Sequence, residues 1–454
     1  MTTFPRSNSL RYLAGVTCGV ALMLAGQTLG DECDIFGEPQ VYATASHHGT
    51  VAGDFDGDSV VDLLTAKPPR RDSFGNLISQ GEYIFNRNNG EATSFKHLLI
   101  DDDHGGYGVA AGDLNGDGAL DFVSTNTIDI AGNLVNVVMG QGDGTFATVV
   151  SYGSFSSEAA AAIALGDMDG DGDLDMVLPN GGRVWLNDGN GVFYTEFVGS
   201  DVRDGASIAL GDIDEDGHLD IVTTVDSYVP SRHEVALQFG IGNGFGNPGP
   251  VFMVNIGGGS PAVVALSDMN GDEHLDLLTL NQATGNISLL LGAGDGSFGA
   301  PMMFAAHTAG NFVPNVFVVA DLTGDGAMDV TVTSTVYGNA ESHQETGILI
   351  GDGAGGLTLS QTIVRLGQLK ENIVAADLNG NGHIDLATAT HVLLNLTGTT
   401  QVADLNGDGI VNVSDLLIVI GDWGATDSPA DINQDGIVNV QDLLLLVGAW
   451  GPCE

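Results

Sequence analysis

Asp167-Met168-Asp169-Gly170-Asp171-Gly172-Asp173-Leu174-Asp175 is the stretch that decides how the rest of the chain is read. Acidic side chains stand at positions 1, 3, 5 and 9 of this nonapeptide, with glycines at 4 and 6. The pattern occurs seven times, starting at Asp54, Asp113, Asp167, Asp212, Asp268, Asp321 and Asp377, with successive spacings of 59, 54, 45, 56, 53 and 56 residues. A period near 54 marks radially arranged or stacked units, each a supersecondary element that cannot bury its apolar face alone.

Within a unit, short runs of small and apolar residues separated by Gly-rich turns predict four strands, and no sustained helical period competes. In the second unit the strands fall at residues 108–111, 120–124, 134–139 and 145–150, with the acidic loop after the first. The turn Gly140-Gln141-Gly142-Asp143-Gly144 follows the third. A Gly-Asp-Gly-x-Phe turn recurs at Gly294-Asp295-Gly296-Ser297-Phe298. Four-stranded units in radial repetition make a β-propeller, and seven loops predict seven blades. The seventh unit runs out after its third strand, at residues 391–396. Residues 36–44, before the first unit, look like a fourth strand: compare Phe36-Gly37-Glu38-Pro39 with Phe298-Gly299-Ala300-Pro301. We expect residues 36–45 to complete blade seven and hide two sheet edges.

Clustered carboxylates with a backbone carbonyl suit Ca²⁺, which takes six to eight oxygens in flexible geometry; Mg²⁺ prefers few protein ligands. Positions 1, 3, 5 and 9 supply side chains and position 7 its carbonyl. Blades one, three and four place four aspartates each: Asp54, Asp56, Asp58, Asp62; Asp167, Asp169, Asp171, Asp175; Asp212, Asp214, Asp216, Asp220. Blade two has Asp113, Asn115, Asp117 and Asp121, and blade five Asp268, Asn270, Asp272 and Asp276. Blade six has Asp321, Thr323, Asp325 and Asp329; blade seven Asp377, Asn379, Asn381 and Asp385. Ligand charge tunes affinity, so blade seven is expected to bind weakest and blade three or four tightest. Ser59 and Glu273 stand at position 6, where glycine is the usual choice for positive φ, and imply strain or a distorted loop. His218, His274 and His383 occupy position 7 and are expected to point to solvent rather than bind zinc.

A second repeat, of period 27, follows. Asp404-Leu405-Asn406-Gly407-Asp408-Gly409-Ile410-Val411-Asn412-Val413-Ser414-Asp415 matches Asp431-Ile432-Asn433-Gln434-Asp435-Gly436-Ile437-Val438-Asn439-Val440-Gln441-Asp442. These are twelve-residue EF-hand-like loops with ligands at 1, 3, 5, 9 and 12, namely Asp404, Asn406, Asp408, Asn412, Asp415 and Asp431, Asn433, Asp435, Asn439, Asp442. Each leads into an apolar helix, predicted over 416–423 and 443–450 and ended by Gly424 and Gly451.

The Asp-x-Asp-x-Asp-Gly-x-x-Asp loops and Gly-Asp-Gly-x-Phe turns resemble the FG-GAP/VCBS repeat family, whose seven-bladed members include the integrin α-subunit head. Residues 404–454 resemble a type I dockerin. The resemblance implies a mainly β, seven-bladed propeller over 31–397, a linker at 398–403 and a small α-helical domain at 404–454. It also implies up to about nine Ca²⁺ sites and a cohesin partner for the duplicated helices. Loop positions 10 and 11, which help select that partner in the family, are Val413-Ser414 and Val440-Gln441 and lack the familiar paired hydroxyls. Docking on a cohesin and a purely structural calcium module both remain open at this point.

Residues 1–30 read as an export signal: Arg6 and Arg11 precede an apolar run, and small residues stand before Asp31; a retained anchor is the alternative. Secretion or display on the cell surface follows, with no membrane insertion of the mature chain. The formal charge is −47, from 59 acids against 12 Lys and Arg. Without Arg6 and Arg11 it becomes −49, which excludes a cationic face for nucleic acid. Nine Ca²⁺ would bring it to −31, relieving self-repulsion. Two cysteines survive maturation, Cys33 and Cys453. Closure of blade seven would bring Cys33 near the C-terminal module, leaving a disulfide or two free thiols as the alternatives.

Strand alternation puts the acidic loops and the Gly-Asp-Gly turns on one face. The longest connections on the other face, residues 66–81, 224–234 and 334–346, hold Lys67, Arg70, Arg71, Tyr228, Arg232, His233, Tyr337 and His343. A basic, aromatic patch on an acidic protein suggests capture of an acidic glycan or a surface protein. No Ser/His/Asp arrangement or phosphate loop is evident, and the carboxylates are accounted for as metal ligands. A non-catalytic binding or adhesion protein is therefore the leading expectation. A polysaccharide lyase or hydrolase, and a structural matrix protein, are the alternatives.

Overall fold

The computed structural model describes most residues between 35 and 452. Residues 1–34, 42–48, 72–76, 102–105, 156–161, 197–206, 226–232, 243–250, 366–371, 396–402 and 453–454, with some shorter stretches, lie outside the description. The chain divides into two compact units, one spanning Glu38–Asn395, the other made of Leu396–Glu454 with Met1–Gly37.

The larger unit is seven four-stranded antiparallel sheets. Blade one is Gly49–Gly53, Asp62–Lys67, Glu82–Asn88 and Phe95–Asp101; blade two is Val109–Gly112, Asp121–Ile128, Gly132–Val138 and Val150–Phe155. The next five repeat this order, each acidic loop joining first strand to second. Blade seven takes its outer strand from the other end of the chain: Gln40 pairs with Val392 and Val41 with His391. The first strands neighbour one another in sequence order, and the seventh returns to the first, so the sheets form a closed ring. The first strands read Gly-Thr-Val-Ala-Gly, Val-Ala-Ala-Gly, Ala-Leu-Gly and Ile-Ala-Leu-Gly in blades one to four, each ending on a glycine at the mouth of its acidic loop.

Packing between adjacent blades forms the core. One cluster joins Leu114, Val123 and Val137 of blade two to Met176, Leu178 and Trp185 of blade three. Another joins Leu63 of blade one to Leu378, Ala387 and Val392 of blade seven, closing the apolar ring. Second strands are covered on both faces, as in the fully buried Asp276–Asn281, whereas fourth strands such as Met302–Ala305 expose alternate residues. The fourth strand of blade two begins at Val150, not at 145. Phe146 makes an isolated bridge to Gly140 and turns inward onto Phe85 and Phe122, delaying the pairing.

The smaller unit holds two helices, α1 (Val413–Gly421) and α2 (Val440–Gly448), over a core of Val411, Val419, Ala430, Val438 and Leu446. Both start three residues before the expected 416 and 443. The reason is local: Asn412 is the N-cap, and Asp415 completes a capping box by accepting from the Asn412 N–H. Ile410–Val411 pairs with Gly451–Pro452, tying the first loop to the end of the chain.

Candidate metal centres and docking surface

Each nine-residue loop is shaped by its own aspartates before any ligand is considered. The position-1 carboxylate accepts the N–H of position 6 in all seven loops, at 2.8–3.0 Å. The position-5 side chain accepts the N–H of position 7, as Asp171 does from Asp173 at 3.0 Å. These turns require positive φ twice, at positions 4 and 6. Ser59 (φ 68°) and Glu273 (φ 72°) adopt the position-6 conformation and keep its hydrogen bond, so those loops carry strain without distortion. The requirement at position 4 was not read from the sequence; Glu215 meets it in blade four with φ 57°.

Position 9 ties the loop into the blade. Asp62, Asp121, Asp175, Asp220, Asp276, Asp329 and Asp385 are fully buried at the start of the second strand. In each, Oδ2 accepts the N–H of loop position 2, from Phe55, Leu114, Met168, Ile213, Met269, Leu322 and Leu378. Oδ1 accepts an N–H just past the third strand or at its end, from Asn88, Gly140, Asn187, Gly240, Gly292, Gly351 and Asn395. Burial pushes Asp62 and Asp385 up to about 7, and Asp175 and Asp220 up to about 6, partly offset by these N–H bonds. An unneutralised carboxylate is costly there.

Where the third strand is followed or ended by asparagine, its amide also reaches the preceding blade. Asn88 donates to the Leu378 carbonyl, Asn187 to Leu114 and Asn395 to Leu322, at 2.6–2.7 Å. In two of the blades with glycine there, the last glycine of the turn donates instead: Gly144 to Phe55 and Gly296 to Ile213. These bonds link five of the seven neighbouring pairs of loops among the described residues.

Among the described residues, ligand atoms converge within 4.8 Å in three groups: Asp54, Asp56, Asp58; Asp167, Asp169, Asp175; and Asp212, Asp214, Asp220. These belong to the three four-aspartate loops. Asp214 Oδ1 is buried without a hydrogen-bond partner, and so is Thr323 Oγ1 at position 3 of blade six. Such orphaned oxygens fit a bound cation. In blades two and five the position-3 amide instead donates to position 5, Asn115 to Asp117 and Asn270 to Asp272. His274 is partly exposed and pairs with Glu215 of the neighbouring loop, whose carboxylate raises its pKa above the usual histidine value. His218 lies against Gly242.

In the smaller unit the position-12 residues Asp415 and Asp442 are fully buried. Asp415 accepts from Asn406 N and Asn412 N, and Asp442 from Asn433 N and Asn439 N. The position-9 oxygens of Asn412 and Asn439 accept from Ser414 N and Gln441 N, at the starts of α1 and α2. Asp431 accepts from Gly436 N; Asp404, Asp408 and Asp435 lie outside the described residues, as do Cys33 and Cys453. Beyond the loops, Val413, Leu417 and Ile420 stand exposed on α1, and Val440, Leu444 and Val447 stand exposed at the corresponding places on α2.

The residues of the expected basic patch are described only in part. Lys67 ends a strand and is paired with Glu82. Arg70–Arg71 forms a small hairpin with Leu77–Ser79. His233 is exposed, with its ring nitrogen on the Gly258 carbonyl. Residues 334–346 are not one long loop: the hairpin is paired out to Tyr337 opposite Ser342, with His343 opposite Val336. β-branched residues and threonines carry the strands further than the turn signals suggested. Tyr228 and Arg232 lie outside the described residues. The same blade holds a Ser/His/Glu arrangement unseen in the sequence: His307 Nε2 is 2.5 Å from Ser334 Oγ, and its Nδ1 is 3.8 Å from Glu345 Oε2. Ser334 is fully buried, so its hydroxyl faces no substrate, and desolvation lowers the His307 pKa.

The FG-GAP-like repeat family matches residues 54–124, 179–223 and 268–332, and the dockerin type I domain matches 402–449. No curated protein matches the chain. Among solved structures, the Photorhabdus luminescens Tc holotoxin pore shares 15% identity over 76% of this chain, with a TM-score of 0.35. This chain spans 16% of that one. BBS1N, from its crystal structure in complex with ARL6DN soaked with lead, shares 10% identity over 80% of this chain and 98% of its own, with a TM-score of 0.47.

Proposed function

From a chain that carries FG-GAP-like repeats in a seven-bladed β-propeller and a dockerin type I domain, we propose a secreted, calcium-stabilised binding protein attached through its dockerin to a cohesin-bearing partner. The observation that carries this is the duplicated apolar stripe on α1 and α2. Six exposed aliphatic side chains recur at a spacing of 27 residues, on a chain whose formal charge is −47. Exposed apolar patches of this kind mark protein-interaction sites. Position 10 starts each stripe, as Val413 and Val440, so the preferred cohesin should offer an apolar surface there, beside the polar Ser414 and Gln441.

Calcium fits the oxygen-only donor sets and the buried position-9 and position-12 carboxylates; in the propeller it would supply charge neutralisation, and in the smaller unit it would hold the loop that feeds each helix. The propeller then serves as the binding body, presenting the face opposite its acidic loops for adhesion to a surface glycan or protein. Retention of the full chain on a panel of immobilised cohesins, with Ca²⁺ and with chelator, tests the attachment. Specific retention lost on chelation is expected. A folded, calcium-loaded chain that no cohesin retains would sink the reading.

A further inference from the structure

The seven loops share one internal marker that sets their third strands in register: the residue whose N–H is taken by the position-9 Oδ1. The residue just before that marker is apolar in six blades: Met139, Leu186, Phe239, Leu291, Ile350 and Leu394. In blade one it is Arg87. Arg87 is itself exposed, at 44%, yet its guanidinium is held against the acidic loop. Arg87 Nε lies 2.5 Å from Asp56 Oδ2 and its Nη2 lies 3.3 Å from Asp58 Oδ2, so the guanidinium spans loop positions 3 and 5. The Asp56 side chain is almost wholly buried, at 1% exposure, and its Oδ2 accepts no hydrogen bond of acceptable geometry. That oxygen therefore meets a cation as a charge contact, much as it would meet a metal ion.

We infer that the blade-one loop is neutralised from within: the Arg87 guanidinium takes the place of a bound cation, and this loop does not load calcium although it carries four aspartates. Guanidinium stays charged at every accessible pH and suits paired carboxylates. A divalent ion among Asp54, Asp56 and Asp58 would stand against that fixed positive charge and would have to displace it. Counting acids alone sets blade one beside blades three and four; the position of Arg87 removes it from that group. Blade one becomes the part of the ring whose loop keeps its shape without metal, next to the junction where Gln40–Val41 closes blade seven.

This rests on the proposal that the other loops bind calcium, and the experiment separates the two. Calcium per chain is measured by atomic emission after equilibrium dialysis of the full chain at saturating Ca²⁺, for the wild type, for Arg87→Leu, and for Asp56→Ala combined with Asp58→Ala. The leucine variant adopts the residue type of the other blades and is expected to bind one calcium more than wild type. The double alanine variant is expected to lose none. An unchanged count in Arg87→Leu, or loss of one calcium in the double variant, overturns the inference while leaving the calcium proposal standing. No calcium on any of the three chains overturns both. Should Arg87→Leu fail to fold, as judged by circular dichroism, the double variant decides alone.

Discussion

The propeller loops and the loops of the C-terminal module end in the same device and use it over different distances. In both, the last aspartate is fully buried and both of its oxygens accept backbone N–H groups. Asp175 binds Met168 at one end of its loop and Asn187 twelve residues ahead, across a hairpin. Asp415 binds Asn406 within its loop and Asn412 three residues back, at the N-cap of α1. A nine-residue loop that feeds a strand is thus held by long-range pairing. A twelve-residue loop that feeds a helix is held by contacts almost entirely its own.

The difference teaches where metal matters most, and it can be broken or sharpened by experiment. The largest effect is expected from removing calcium. Ligand linkage is worth about 4 kcal/mol for each site kept at a thousandfold over its Kd. Calorimetry of the full chain with chelator should therefore show the module's transition lost altogether and the propeller's lowered but still cooperative. Loss of both transitions together would erase the distinction.

Next in size is the buried aspartate itself. Asp175→Ala orphans two buried N–H groups and should cost about 3 kcal/mol or more. Asp415→Ala should cost the module a comparable amount, including a cap worth about 1 kcal/mol. Each should lower only its own transition; a propeller destabilised by Asp415→Ala would refute the local character of that loop.

The pH dependence of the chelated propeller comes third. Burial raises Asp62, Asp175, Asp220 and Asp385 above the ordinary carboxylate value, to between about 6 and 7. The folded state then binds more protons than the unfolded one across that window, so stability is greatest below pH 4 as far as these groups are concerned. It falls as pH rises toward 7. Chelated protein should thus melt higher at pH 5 than at pH 7.5, and calcium-loaded protein should show the opposite slope, because protons compete with the ion.

Smallest in stability is the exposed stripe. Leu417→Asp with Leu444→Asp should shift melting by less than about 0.5 kcal/mol, since both side chains face solvent. The same pair should abolish retention on cohesin. Unchanged retention would move the docking surface off the helices.

Much of this was legible residue by residue. Asp167 to Asp175 and its six relatives counted the blades, because metal-type loops announce themselves through side chains at fixed spacing. The position-6 strain at Ser59 and Glu273 was legible for the same reason. Glu215 was missed at position 4, where six glycines concealed a φ requirement behind an ordinary turn composition. The continuation of the strands to Tyr337 and Ser342 was missed because a hairpin and a loop of Ser, Thr and Gly share the same residues. The start of the fourth strand at Val150 depended on where Phe146 finds its aromatic neighbours.

By itself, then, the sequence determined the number of blades, the split into two kinds of repeat and which loops are richest in carboxylate, all properties of spacing along one chain. Only the tertiary structure decided what those carboxylates meet. The N–H groups on the position-9 oxygens, the asparagine and glycine links between neighbouring loops, and the guanidinium of Arg87 on Asp56 and Asp58 all join residues from different strands. Charge counted in sequence becomes charge felt in space only once the fold brings its partners within hydrogen-bonding distance.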